Sequence, residues 1–250
     1  MPNQSAPPIT AAMLVIGDEI LSGRTKDKNI GFIADYLNNL GIDLIEVRIV
    51  ADDEEHIVDA VNALRARYTY VFTSGGIGPT HDDITADAIS KAFNLPCEFH
   101  PEAMALLTKH YKARDMEYTD ARMRMARTPR GAKLINNPIS IAPGFIIENV
   151  HVMAGVPMIM QAMMDALAPS LKTGTKMLSK SVDCPFGEGT IGGPLGEIQD
   201  RHPNTMIGSY PQFRDGSYST QIVIRSKEAA AIDAAKIEVG EMLARLKSSK

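Results

Sequence analysis

Only two cysteines occur in this 250-residue chain, Cys97 and Cys184. Two widely spaced thiols build neither a disulfide framework nor a zinc knuckle, and they fit a reducing cytoplasm. No run of 18 apolar residues occurs, so no membrane span is expected. The opening MPNQSAPPIT lacks the basic start and apolar core of a signal peptide; residues 1–10 read as a disordered tail. Positive charge is not in excess, since 26 Lys and Arg face 30 Asp and Glu for a net charge of −4. That balance argues against a general nucleic-acid binder. No Ser-His-Asp set can be assembled from spacing, which leaves nucleophilic acyl chemistry unsupported. What remains is ordinary globular composition, 44% hydrophobic and 22% charged, with length for one large or two small domains.

The chain is organised around Thr69 to Phe93, TYVFTSGGIGPTHDDITADAISKAF. A β-type run, Tyr70-Val71-Phe72, breaks into Ser74-Gly75-Gly76-Ile77-Gly78-Pro79-Thr80. His81, Asp82 and Asp83 then precede apolar residues at helical spacing: Ile84, Ala88, Ile89, Ala92 and Phe93. This reads as strand, glycine loop, helix. Three glycines let backbone amides approach a ligand, and a helix start supplies free N–H groups suited to phosphate. Adjacent carboxylates oppose phosphate unless a divalent cation lies between. The loop is not a dinucleotide fingerprint, because His81 stands where the third glycine is required, and it has no lysine for a P-loop. The bland reading of Asp83 is a helix N-cap.

Upstream, Ala12 to Gly17 reads as a buried parallel strand and Asp27 as the cap of a helix over Ile30 to Leu40. Leu44 to Val50 is a second strand, and Asp52-Asp53-Glu54 opens the next helix. The β-α-β-α-β-α order predicts an α/β fold, a parallel or mixed sheet with helices on both faces. Ligands in such sheets bind beyond the C-terminal strand ends. The acid pairs Asp18/Glu19, Asp52/Asp53 and Asp82/Asp83 all sit on loops leaving those ends. Lys109 to Lys133 holds eight Lys or Arg residues against three acids; the segment faces an anionic ligand or is a solvated helix face. Strands are expected at Lys133–Ile135, Phe145–Ile147 and His151–Met153, with a methionine-rich helix from Pro157 that fills core or makes an oligomer contact. The predicted first domain spans residues 11–170. After a linker, residues 175–250 follow the order β-α-β-β-α, a small α+β subdomain. Gly189-Thr190-Ile191-Gly192 has the spacing of a KH-type GxxG loop, but without flanking basic residues RNA ranks last.

SGGIGPTHDDIT resembles the signature of the MoaB/Mog-type molybdopterin-binding domain. The wording Gly-Pro-Thr-x-Asp-Asp-x-Thr is similar to the N-terminal region of competence/damage-inducible protein A and to the molybdopterin-binding-like domain of eukaryotic FAD synthases. The likeness takes in IGDEILSGRTKDKN, APGF and GVP over residues 12 to 168, and continues more weakly to the end. It implies Asp52 and Asp83 as the catalytic pair, and Gly75, Gly76, Gly78, Thr80, Thr85, Asn137 and Gly144 as ligand or phosphate residues. Asp18, Asp82 and Asp83 are the expected metal ligands. His81 beside them is a ligand or a solvated side chain, and Glu188 reaches the site or is a helix-start acid. Ser140, Ala154 and Ile159 depart from the family wording, and the last of these favours the FAD-synthase-like branch.

The implied activity is a nucleotide pyrophosphatase acting on ADP-ribose or FAD-like dinucleotides with cobalt, nickel, manganese or magnesium. The alternative is non-catalytic binding of molybdopterin, another pterin phosphate, or a nucleotide. No deamidase activity is expected. Members are usually oligomeric, so a homo-oligomer is expected.

Overall fold

A computed structural model describes residues 7–214 and 217–248, with only the backbone of Arg214, Ser217 and Tyr218. Residues 1–6 of the expected tail therefore lie outside the described residues, whereas Ile9 packs partly against the core and Thr10 already opens a strand. The chain divides into two compact units at Gly174/Thr175.

The first unit runs β1 (Thr10–Ile16), α1 (Asp18–Leu21), α2 (Asn29–Asn39), β2 (Asp43–Val50), α3 (Glu54–Arg65), β3 (Tyr70–Ser74) and α4 (Thr85–Ala92). It continues through β4 (Cys97–Phe99), α5 (Pro101–Ala113), α6 (Asp120–Met123), β5 (Arg127–Pro129), β6 (Lys133–Ile135), β7 (Gly144–Ile147), β8 (Val150–Met153) and α7 (Pro157–Leu167). Six strands form one mixed sheet in the order β2-β1-β3-β8-β7-β6. The first four run parallel, and β7 is antiparallel to both β8 and β6.

Alternation along the strands builds two cores. Ala12, Leu14 and Ile16 of β1 join Val71 and Val152 under α3 and α4. Ala11, Met13 and Val15 join Phe72 and Met153 under α2 and α7. A strand buried on both faces must be apolar at every position, which is why β1 reads as a continuous run. Met160, Met163 and Met164 of α7 are fully buried in the second core. The methionine stripe is therefore chiefly core filler, and only Met158 is well exposed among the four. Asp53 is a true cap, accepting from the His56 N–H at 3.0 Å, whereas Asp27 stands one residue before Lys28, the N-cap of α2, and accepts from the Ile30 N–H at 2.8 Å. The ladder of β4 with β5 was not legible, because each strand is three residues long and neither alternates.

The second unit comprises β9 (Leu178–Cys184), α8 (Glu188–Arg201), β10 (Met206–Arg214), β11 (Ser217–Ser226) and α9 (Ala229–Ser248). Its antiparallel sheet, in the order β10-β11-β9, packs with Ile191 and Ile198 of α8 and Ile232 and Val239 of α9 in one core. The Gly189–Gly192 stretch lies inside α8, and its Ile191 is fully buried. It is a helical turn, not a backbone-clamping KH loop. Glu188 starts α8 and its carboxylate accepts from the Ser209 hydroxyl at 2.5 Å. No helix of the described residues is long and apolar enough to cross a membrane.

His151 on β8 is buried against Tyr70 and Phe72, with ring centroids 5.4 and 5.2 Å away. Burial pushes its imidazole down from 6.5 to about 4, partly offset by hydrogen bonding to the backbone at Asn149. The unfolded imidazole protonates near pH 6.5, but the folded one does so only near 4. Its contribution is intact above 6.5 and is lost as pH falls from there toward 4, a full difference on the order of 3 kcal/mol. The urea midpoint of the parent protein should therefore fall more steeply between pH 7 and 4.5 than that of His151→Phe; equal slopes would refute this.

Candidate functional site

Four loops meet beyond the C-terminal ends of β1, β2, β3 and β8 and enclose a cleft of about 540 Å³. Gly17, Glu19 and Thr25 come from the first loop, Asp52 from the second, and Gly75 to Pro79 with Asp82 and Asp83 from the third. Ala154 to Pro157 and Ile159 close one wall, and Asn137, Ser140 and Ala142 the other. The convergence expected from topology is thus present.

The glycine loop is shaped by contacts that exclude a Cβ. Gly75 has φ 113°, and a Cβ there would stand 2.1 Å from the Ile16 carbonyl oxygen. Gly76 has φ 67°, and its Cβ would stand 2.1 Å from Thr85 Oγ1. Thr85 is fully buried beneath the loop. Its hydroxyl donates to the Gly75 carbonyl at 3.0 Å, and its N–H donates to the Gly76 carbonyl at 3.0 Å. Expected to touch ligand, Thr85 instead holds the loop from below. Gly144 is likewise a packing position, since a Cβ there would meet the Val152 carbonyl oxygen at 2.3 Å.

Asp83 is not the cap of α4, whose N-cap is Ile84 with no side-chain hydrogen bond. Its Oδ2 accepts from the Thr80 N–H at 2.8 Å and the Thr80 hydroxyl at 2.5 Å. Thr80 therefore orients Asp83 and is absent from the cleft lining. Arg124 fixes the same residue from behind, donating to the Asp83 carbonyl at 3.1 Å. Asp52 accepts from the Asp18 N–H at 2.9 Å, and Asp18 accepts from the Asp52 N–H at 3.4 Å. Burial pushes the Asp52 carboxyl up, against the lowering effect of the Asp18 N–H, and the charges of Asp18, Glu19 and Asp82 push it further. Asn137 has both ends of its amide engaged, donating to Ser140 Oγ and the Ala142 carbonyl and accepting from the N–H groups of Ile139 and Ser140. It builds the wall and leaves Ser140 to line the cleft beside it. His81 is exposed and outside the lining.

Asp18 also lies outside the lining, where its neighbour Glu19 stands. Among the described residues, no three His, Cys, Asp or Glu side chains gather closely enough to hold a metal ion. The expected trio of Asp18, Asp82 and Asp83 is therefore not a preassembled centre. Among the described residues, the cleft has four lining carboxylates, Glu19, Asp52, Asp82 and Asp83, and no lining Lys, Arg or His. Of the basic segment, Met125 lines the cleft and Arg124 holds the Asp83 carbonyl, while Arg127 is paired with Asp87 and Arg130 with Glu98. Asn29, which ends the IGDEILSGRTKDKN stretch of the family likeness, is 4% exposed and joins α2 to the site. Its amide donates to Ser74 Oγ at 2.7 Å and to the Gly155 carbonyl at 2.8 Å.

A glycine-loop cleft at the parallel strand ends of an α/β sheet defines the class of this protein. Residues 12–173 match the family described as "Probable molybdopterin binding domain", and residues 176–249 match "FAD synthase, middle domain". The chain belongs to the molybdopterin-binding domain family. It is 29% identical over 259 residues to a probable FAD synthase of Caenorhabditis elegans, covering 94% of this chain and 50% of that one. A protein of Pyrobaculum arsenaticum is 31% identical over 252 residues, covering 96% of this chain and 95% of its own. A protein of Caldivirga maquilingensis is 37% identical over 166 residues, covering 65% of each chain. The chain thus spans half of the worm protein and just under two thirds of the Caldivirga one. The crystal structure of the protein CinA with unknown function from Thermoplasma acidophilum superposes with TM-score 0.61 at 31% identity, over 66% of this chain and 99% of that one.

Gly76→Ala should lower stability by at least about 2 kcal/mol, from the positive φ and the clash with Thr85. Gly23, also at positive φ but with nothing within 4 Å of an added Cβ, should tolerate alanine better. Urea midpoints of the two variants check this, and equal losses would contradict it.

Proposed function

We propose that the cleft binds the diphosphate of a dinucleotide such as ADP-ribose or an FAD-like compound and hydrolyses it as a metal-dependent nucleotide pyrophosphatase. The observation that carries this reading is the glycine loop facing four carboxylates in one cleft. Backbone N–H groups of Gly76 and Gly78 offer donors to phosphate oxygens without an intervening Cβ, while the Gly75 N–H is taken by the Met153 carbonyl. A hard cation needs only one or two carboxylates when substrate phosphates complete its shell, so a three-ligand protein cage is not required. The oxygen donors of Asp52, Asp82, Asp83 and Glu19 fit such an ion and do not choose among cobalt, nickel, manganese and magnesium. When bound, the ion supplies neutralisation of phosphate charge and a water of lowered pKa.

The chain's own residues do the rest. Thr80 fixes the Asp83 carboxylate, which orients the attacking water, and Asp52 takes up its proton. Water adds to one phosphorus, the P–O–P bond breaks, and ADP-ribose yields AMP and ribose 5-phosphate.

A second reading is binding of a pterin phosphate such as molybdopterin without turnover, favoured by the family match over residues 12–173. The three positions that depart from the family wording, Ser140, Ala154 and Ile159, all line the cleft, where they would alter which ring system fits. Release of AMP from ADP-ribose or FAD on addition of one of the four metals would favour catalysis. Pterin-phosphate binding with no AMP released under any metal would favour the second reading. Asp83→Asn, which keeps an oxygen for Thr80, should fold normally and lower turnover by at least about a hundredfold, the scale for losing a key electrostatic group. Asp52→Asn should lose less. Parent-rate cleavage by Asp83→Asn would remove this loop from the reaction centre.

A further inference from the structure

We infer that Arg124 is a positioning residue for the diphosphate, a cation without a counter-ion that draws a phosphate onto the glycine loop from behind. This rests on the diphosphate reading above and adds what holds the anion against the acids around it. Sites that bind phosphate commonly set arginine or lysine against its charge. The cleft lining carries four carboxylates instead. A small cavity behind the loop carries two arginines, Arg124 and Arg127. Gly76, Ile77, Gly78, Asp83 and Met125 wall both spaces, so the loop itself is the partition between them.

The two arginines differ in their partners. Arg127 is neutralised by Asp87. Among the described residues Arg124 has no carboxylate partner: its guanidinium donates to the Asp83 carbonyl at 3.1 Å, and its Nε is buried without a hydrogen bond. A partly buried cation left in this state is costly to the folded chain and calls for an explanation. Lys26 and Lys28 line a chamber that shares walls with the cleft, but both are exposed. A charge held partly out of water acts through a lower dielectric than such solvated lysines do. A phosphate accepting from the Gly76 and Gly78 N–H groups completes the arrangement. The anion lies in front of the loop and the guanidinium behind it, tied to the loop through the Asp83 carbonyl.

The test follows a methylene-bridged ADP-ribose analogue that cannot be cleaved, by equilibrium dialysis at fixed magnesium. Arg124→Gln keeps an N–H for the Asp83 carbonyl and removes the charge. It should bind the analogue about tenfold more weakly, the scale for one unit charge at short range in an intermediate dielectric. Arg124→Lys restores the charge and should recover most of that loss. Asp87→Asn frees the Arg127 guanidinium behind the same loop and should tighten binding by about threefold, a direction that damage to the fold would not produce. Equal affinity in Arg124→Gln and the parent would overturn the inference. So would equal losses in Arg124→Gln and Arg124→Lys, which would leave Arg124 only a support for the Asp83 carbonyl. Should urea unfolding show that Arg124→Gln does not fold, Asp87→Asn decides, and unchanged or weakened binding there overturns the inference. An analogue that the parent protein does not bind would instead defeat the diphosphate reading itself, and this inference with it.

Discussion

Three strand ends meet at the backbone of Gly75, and the geometry of the cleft follows from that contact. The site where its Cβ would stand lies 2.1 Å from the carbonyl oxygen that ends β1. Its N–H donates to the Met153 carbonyl at the end of β8 at 3.2 Å. Gly155, just beyond β8, approaches so closely that its own Cβ would stand 3.3 Å from Gly75 Cα. No side chain fits between these backbones. The loops after β1, β3 and β8 are thereby forced to leave the sheet side by side, which places Glu19, the glycine loop and Val156 on one cavity. Thr85 and Asn29 then secure the junction from beneath, one binding the Gly75 carbonyl and the other the Gly155 carbonyl.

Around this junction the acids divide into two kinds. Asp27 and Asp53 satisfy helix N–H groups, a role that any helix start near a strand end requires. Asp83 accepts from loop backbone and Asp52 from the first N–H of the four-residue α1, and both remain on the cleft. The consequence is a concave surface carrying four carboxylates and walled in part by apolar groups such as Ile16, Ile77 and Ile159. Burial already raises the proton affinity of Asp52 in the absence of any ligand.

The sheet was legible from sequence because its central strands are buried on both faces and read as apolar runs, Ala11 to Ile16 in β1 and Tyr70 to Phe72 in β3. The edge of the fold was less so: β4 and β5 are too short to show a period. Within the site, loop membership was readable but facing was not. Asp18 and Glu19 are adjacent, and successive residues in a helical turn point about 100° apart. Because α1 begins at Asp18, that small rotation turns Asp18 toward the Asp52 loop and Glu19 into the cleft. Thr80, Thr85, Asn137 and Gly144 share the same ambiguity. Sequence pattern marks them as special, but only coordinates tell a residue that touches a ligand from one that shapes the backbone beside it.

The wall at residues 137–142 shows how such shaping is held against strain. Ile141 adopts φ 67°, a left-handed conformation that a β-branched residue disfavours by roughly 1–3 kcal/mol. Nothing about isoleucine favours that turn. The Asn137 side chain imposes it, through two N–H groups accepted and two acceptors bonded within five residues, at 2.6 to 3.1 Å, with the Ile141 N–H closing onto the Asn137 carbonyl at 3.1 Å. Buried amide hydrogen bonds contribute about 1 kcal/mol each when fully satisfied, enough together to offset the strained residue. The wall that presents Ser140 to the cleft is therefore set by one satisfied side chain rather than by local propensity. Its shape is fixed before any ligand binds.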